Sequence, residues 1–349
     1  MPALIPHSRP TLSEADLQAV AAVIRSGQLA QGQRVQEFEE QFATFLGRKG
    51  AVATNSGTAA LHLALLALEI GAGDAVVCPS YVCMAVLQAI RYVGAVPVLV
   101  DIDPHTFNLC PRSVGAALTA KTKAIVVPHL FGLPADLDEL AVFGLPLIED
   151  CAQTFGGQYR HRKVGSVGTV AIFSFYATKL LCTGEGGMVV ADAPEILARL
   201  RDLRDYDERS DDRLRFNYKL TDMQAALGLS QLARLPAFLQ RRREIAARYC
   251  LAFSGLPVQL PHPPEDREHL YYRFVITVSP HLDSLQDFAS RQAISCRRPI
   301  FRPLHRYLDQ PGFPATEAVW SQALSIPLYP SLTEEEVERI ISCLQQWTA

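Results

Sequence analysis

The stretch KAIVVPHLFGLPADLDELAVFGLPLIED, residues 123–150, decides the fold. Residues 124–127 are a short apolar run stopped by Pro128. Residues 136–141 carry apolar positions at helical spacing, and residues 145–148 form a second apolar run that ends on Glu149 and Asp150. Strand, helix and strand in that order make a βαβ unit. Working outward, the same rhythm continues on both sides. Residues 75–78, 96–100, 170–175 and 188–191 read as further strands, and 57–69, 82–92 and 113–118 as helices. Such alternation predicts an α/β fold with a mostly parallel central sheet, buried on both faces. Ligands of these sheets collect at the carboxyl ends of the strands. That directs attention to residues 79–81, 101–103, 149–153 and 174–179.

The flanks are helical. Ser13 caps a helix over 13–25 with Asp16 three residues on, and Val35, Phe38, Phe42 and Phe45 recur at helical spacing. Residues 199–215, dense in Arg and Asp, read as an exposed loop. Residues 221–235 and 236–253 read as two long helices. A Pro- and His-rich stretch over 254–267 marks a boundary, followed by a strand over 273–278 and helices over 285–291 and 333–347. The simplest division is a large domain over 1–240 and a smaller C-terminal α+β domain over 241–349.

The chain has 349 residues, long enough to bury a large core without metal or disulfide staples. Lys and Arg number 33 against 36 Asp and Glu, a formal charge of −3 with no basic block, so nucleic acid is not an expected partner. Apolar runs are too short to span a membrane, and the N-terminal MPALIPHSRP lacks an apolar leader core. The eight cysteines form no CxxC pair and read as buried free thiols of a cytoplasmic protein.

Three segments carry chemistry. In the first, Asn55-Ser56-Gly57-Thr58 leads directly into a helix, whose free N–H groups and positive dipole end suit an anion, with Gly57 allowing close approach and the Ser56 and Thr58 hydroxyls able to donate. A plain helix cap is the alternative. In the second, Asp150 ends a strand with Gln153 three residues on. It could face a metal, a ribose or a protonated ring nitrogen, or cap a helix. No cluster with ligand spacing accompanies it, which weighs against metal. In the third, Lys179 follows a strand in FSFYATKLLCTGEGG, residues 173–187, between aromatic residues and glycines. Such surroundings can turn a surface lysine into an amine nucleophile. Phosphate site, strand-end aspartate and strand-end lysine, in that order, together suit pyridoxal phosphate, whose phosphate, ring nitrogen and aldehyde need one each.

The chain resembles the fold-type I pyridoxal-phosphate enzymes, and among them the DegT/StrS-type sugar aminotransferases. The likeness runs through SGQLAQGQRVQEFEEQF, NSGTAALHLALLAL, PSYVCMAVLQAI, AVPVLVDIDP, IEDCAQTFGG, VAIFSFYATKLLCTGEGGMVV, FNYKLTDMQAALGLSQL and IPLYPSLTEEEVERI. It implies that Lys179 binds the cofactor aldehyde and that Asp150 partners the pyridine nitrogen. Gln153 would lie beside the ring, and Ser56, Gly57, Thr58 and Ser174 would hold the phosphate. Asn217 would reach that phosphate from the neighbouring subunit of a homodimer with shared sites. The implied reaction moves an amino group from an amino acid, glutamate or glutamine, to a nucleotide-linked keto-sugar. An aminotransferase for a cyclitol or other ketone, and a non-catalytic cofactor-binding regulator, are the alternatives. Cys83 stands where the family places a ring-stacking aromatic, so Tyr81 or Tyr176 would have to compensate. His62 reads as a packed core residue, Arg241, Arg242 and Arg243 as a solvated helix face, and Arg298 and His305 as residues that could approach substrate.

Overall fold

In the computed structural model, residues 3–347 are described. Strands β1 (Gly50–Thr54), β2 (Ala75–Pro79), β3 (Val96–Val100), β4 (Thr122–Pro128) and β5 (Leu147–Asp150) come first. A two-stranded ribbon of β6 (Gln158–Tyr159) and β7 (Arg162–Lys163) follows, then β8 (Val170–Ser174) and β9 (Gly187–Ala191). Seven of these form one sheet in the order β1-β9-β8-β5-β4-β2-β3. Only β9 runs against the rest, pairing antiparallel with both β1 and β8. The expected mostly parallel α/β sheet is present. β1, a run of small residues with Val52 and Thr54 as its only β-branched members, is the strand the sequence reading passed over.

Side chains alternate across this sheet. In β4, Ala124 and Val126 face one core and Ile125 and Val127 another. In β8, Val170 and Ile172 join the first core while Ala171 and Phe173 face a third. Helices cover both faces. α1 (Glu14–Ser26) and α2 (Gln33–Leu46) precede the sheet, and α3 (Gly57–Ala67), α4 (Met84–Tyr92), α5 (Pro111–Ala117), α6 (Leu137–Ala141) and α7 (Pro194–Arg204) are wound through it. α7 takes residues 199–204 of the stretch read as an exposed segment or mobile loop: Ile196, Leu197 and Leu200 are buried, and Arg204 turns inward to pair with Glu39.

The chain then enters α8 (Asp222–Phe253), a single helix that contains Pro236. The proline had suggested two helices, because it lacks an N–H and crowds the preceding turn at a cost of about 3 kcal/mol. Packing overrides it, since Leu232, Leu235 and Leu239 on either side are all buried in one core. α8 runs unbroken across position 240 and carries Ile245, Tyr249 and Phe253 into a separate core. That core is completed by β10 (Phe274–Thr277), α9 (Leu282–Arg291), β11 (Ala323–Ile326) and α11 (Glu334–Gln346), with β10 and β11 antiparallel, while α10 (Pro314–Gln322) places Val319 in the first core. Ile5 also belongs to the separate core, pairing with Ile294.

The end of β5 is fixed by a buried carboxylate. Glu149 accepts N–H bonds from Gly165 at 2.8 Å, Val167 at 2.9 Å and Gly168 at 2.6 Å, and lies 3.2 Å from His129 Nε2. His129 Nδ1 accepts from the Ala135 N–H at 2.9 Å, so the proton sits on Nε2 and is donated to Glu149. The Cys151 thiol adds a donor to the Glu149 carbonyl at 3.9 Å. His129, Glu149 and Cys151 come within 4.8 Å of one another, a grouping their sequence spacing did not disclose. The acceptors of His129 and Glu149 are engaged by protein donors, and burial raises the Cys151 thiol well above its usual range, so the cluster is a hydrogen-bonded knot rather than a cation site.

Burial opposes ionisation of Glu149, but His129 and the loop N–H groups outweigh it and hold the carboxyl below its usual range. A lowered folded-state value gives stability that is present above the unfolded value of about 4.3 and is lost as pH falls through the folded one. Glu149→Gln should therefore cost about 3 kcal/mol near neutral pH. In urea melts, that gap between wild type and variant should shrink as pH is lowered below 4.

Candidate active site

Three elements bring the expected residues to one end of the sheet. β1 turns through Asn55 and Ser56 into α3, and the Ser56 hydroxyl accepts the Ala59 N–H at 3.1 Å as its cap. The N–H groups of Gly57 and Thr58 find no acceptor among the described residues. Gly57 lies against the last residue of β8: a Cβ there would come 2.7 Å from the Cβ of Ser174. The glycine is needed for that approach, which sets the Ser174 hydroxyl beside the open N–H groups. Gly187, opposite Ser174 in register, has the same reason to lack a side chain, since a Cβ would collide with the Ser56 carbonyl. Free N–H groups at a helix start and the Thr58 and Ser174 hydroxyls make a cradle for a phosphate.

Asp150 closes β5 beside β8, in register with Ile172. It is 8% exposed. One oxygen accepts the Ala152 N–H at 3.1 Å, and the other takes no hydrogen bond among the described residues. Burial raises its carboxyl above the ordinary value, while the Ala152 N–H, Lys179 and His129 pull the other way. A cation or charged N–H donor against the free oxygen would relieve that cost. Gln153 is turned by its own carbonyl, which accepts the Phe131 N–H at 2.8 Å and leaves its amide N–H groups to donate.

Lys179 lies in the loop between β8 and β9. The loop is tied by Phe175 N–H to Gly186 at 2.8 Å, Ala177 N–H to Gly184 at 2.9 Å and Lys179 N–H to the Tyr176 carbonyl at 2.8 Å. The lysine Nζ stands 5.3 Å from the centre of the Tyr272 ring. Its charge acts on both Asp150 and Cys83, so the three share one site. Cys83 is exposed, and Cys110 and Cys250 are half-buried, contrary to the expectation of eight buried thiols. Protein packing around the Cys83 thiol pushes it up, Asp150 adds to this, and Lys179 opposes it. Tyr81 offers no exposed face there, being fully buried beside Phe107 and Phe131. Tyr176 is exposed but lines a neighbouring cavity.

Asn217 is exposed, and its carbonyl accepts from the Asn55 side chain at 3.3 Å. Its own amide makes no hydrogen bond within the described residues. His62 is packed as expected, 3.2 Å from the Tyr218 hydroxyl and edge-on to Phe216. Arg242 is a correction. It is 4% exposed and donates to the carbonyls of Tyr271, Tyr272 and Leu328 at 3.0–3.2 Å, while Arg241 and Arg243 form surface pairs with Glu334 and Glu268. His305 is also buried, bridging Ser80 at 2.6 Å and Glu317 at 2.6 Å, and so ties the loop after β2 to α10.

Beside Lys179 opens a cavity of about 1070 Å³. Arg298, singled out from the sequence, lines it together with Arg273, Arg297, Arg302 and Arg306, which were not. Arg298 and Arg306 pair with Asp283 and Glu317, but Arg273, Arg297 and Arg302 have no carboxylate partner among the described residues. Phe301, 87% exposed, and Tyr176 complete an amphipathic wall. The clustering of arginine in residues 297–306 was the available signal. Arg273 lies 24 residues upstream of Arg297 and gave none.

Comparison with known proteins agrees with this arrangement. The profile of the DegT/DnrJ/EryC1/StrS aminotransferase family matches residues 10–345. GDP-perosamine synthase of Caulobacter vibrioides is 36% identical over 334 residues, covering 90% of each chain. DesV of S. venezuelae, solved with a ketimine intermediate, superposes with a TM-score of 0.92 at 34% identity, covering 98% of this chain and 99% of that one. A Streptococcus pneumoniae protein described as a sugar aminotransferase, in its PLP form, gives 0.90 at 28% identity and 98% coverage of both. Matched by the family profile over residues 10–345, the chain belongs to the DegT/DnrJ/EryC1/StrS aminotransferases, enzymes that use pyridoxal phosphate.

Proposed function

We propose that the protein transfers an amino group from an amino acid, glutamate or glutamine, to a keto-sugar carried on a nucleotide. The observation that carries this reading is that the Lys179–Asp150 site lies next to an arginine-lined cavity, walled by Tyr176 and Thr178 of the Lys179 loop, in which three guanidinium groups lack a carboxylate partner among the described residues. The first suits amine chemistry and the second an anionic substrate too large for the site alone.

The residues fit pyridoxal phosphate. The open N–H groups of Gly57 and Thr58, with the Thr58 and Ser174 hydroxyls, would hold its phosphate; Ser56 supports them as the helix cap. Asp150 would offer its free oxygen to the ring nitrogen, and Gln153 its amide N–H to the ring oxygen. When bound, this cofactor supplies an aldehyde that takes up the amino group and a ring that stores the electron pair released at the donor carbon. Asp150 keeps the ring nitrogen protonated by charge and position. Lys179 Nζ would hold the aldehyde and would serve as the base and acid that moves the proton at the donor carbon. The arginines of the cavity orient the substrate by its phosphates. Asn217, exposed and with a side-chain amide that makes no hydrogen bond among the described residues, would serve a neighbouring copy in a homodimer with shared sites.

Lys179→Ala should lose both cofactor attachment and amino transfer, checked by borohydride reduction and peptide mass mapping of residue 179 alongside turnover. Arg297→Gln should raise KM for a nucleotide-linked keto-sugar about 3- to 10-fold at low salt and leave the amino-acid half-reaction unchanged. Lys179→Ala and Asn217→Ala proteins, each inactive or weak alone, should regain activity when co-refolded. Failure to complement would place Asn217 in its own chain's site.

A further inference from the structure

Tyr272 has no part in the mechanism above, yet it is the side chain on which the lysine rests. It is 6% exposed, within a small pocket beneath the Lys179 loop. Lys179 approaches from the β8–β9 loop, with Nζ 5.3 Å from the ring centre. The guanidinium carbon of Arg273, next in sequence, is also 5.3 Å from it. Arg242 reaches in from α8 and is fixed at 3.2 Å on the Tyr272 carbonyl, with its Nε lacking a partner. The Tyr272 hydroxyl lies 3.5 Å from that of Thr178, the residue before the lysine. The other titratable groups lining this pocket are Arg9, Cys182 and Tyr329, and no carboxylate lines it. A buried phenol facing three cations and no acid is an unusual balance. A cation over an aromatic face is attracted by the ring, more strongly when both are desolvated.

Resting on the assignment of Lys179 as the cofactor lysine, we propose that Tyr272 is a positioning residue for it: the ring seats the lysine side chain, and the hydroxyl, held at Thr178, sets the charge beneath it. Burial alone would raise the phenol, but Lys179, Arg273, Thr178 and Arg242 together bring it down to about 8. The phenol therefore changes charge within the working range, and its charge is felt first at Lys179.

Three full-length proteins test this: wild type, Tyr272→Phe and Lys179→Met. Tyrosinate absorbance in wild type should show a phenol ionising about pH 8, absent from Tyr272→Phe and moved upward by about one unit or more in Lys179→Met. In cofactor-loaded Tyr272→Phe, which keeps the ring, borohydride should still trap residue 179. The pH at which the visible band changes should move downward, because an anionic neighbour has gone. If residue 179 is trapped but the low phenol is missing, or the visible band of Tyr272→Phe titrates as in wild type, the role of Tyr272 is overturned. If residue 179 is not trapped in wild type, the assignment of Lys179 falls instead. Thermal melts of Tyr272→Phe and Lys179→Met within a few degrees of wild type establish that the shifts are local.

Discussion

Four hydrogen bonds to one buried carboxylate hold the catalytic end of this protein in shape. Glu149 sits at 0% exposure, where an uncompensated charge would be untenable. It survives because the loop from Gly165 to Gly168 curls its N–H groups onto both oxygens and His129 supplies the fourth donor. The next residue is Asp150. Strand side chains alternate, so pinning Glu149 on one side of β5 turns Asp150 to the other. The strand end that carries the reactive carboxylate is thus anchored by the carboxylate beside it.

From there the site is assembled by strand direction. β1, β8 and β5 run the same way, and β9 passes back between the first two, so Thr54, Ser174 and Asp150 all end on one edge. The contents of that edge divide by charge. The open start of α3 offers partial positive charge with no side-chain cation of its own, Asp150 offers negative charge, and the lysine loop with its neighbouring guanidinium groups offers positive charge again. A ligand with an anion at one end and a cationic ring nitrogen along its body is matched by this sequence of fields before any contact is counted.

Much of this was legible in the residues. Strands 124–127 and 145–150 stood out because β-branched and apolar runs alternate with a helix-period segment, and the order phosphate cradle, aspartate, lysine pointed to one cofactor. What stayed hidden depended on tertiary context. Pro236 predicts a break from local geometry alone, but the packed leucines around it hold the helix together. Arg242 reads as solvated between two other arginines, yet it turns inward to three carbonyls that come from residues 271, 272 and 328. Tyr272 gave no sign of its neighbours, because Lys179 lies 93 positions away. Glu149, His129 and Cys151 have no ligand-like spacing, and only the parallel pairing of β4 with β5 brings them together.

The cavity wall beside the lysine includes Leu4, Pro6, His7 and Ser8. His7 is fixed by Ser325 at 2.9 Å and by Arg273 at 3.0 Å, and Ile5 is hydrogen-bonded to both sides of Ile294. These partners are separated by about three hundred positions of chain. During synthesis the first residues emerge with nothing to bind, and they remain so until the strand containing Ser325 has left the ribosome. Loop closure over such a span is among the last events of folding. The phosphate cradle and lysine loop are built from residues 54–187 and can take shape earlier. The fold therefore acquires its capacity for the cofactor ahead of its capacity for the second substrate, an order of maturation set by the distance in the chain between residues 4–8 and their partners.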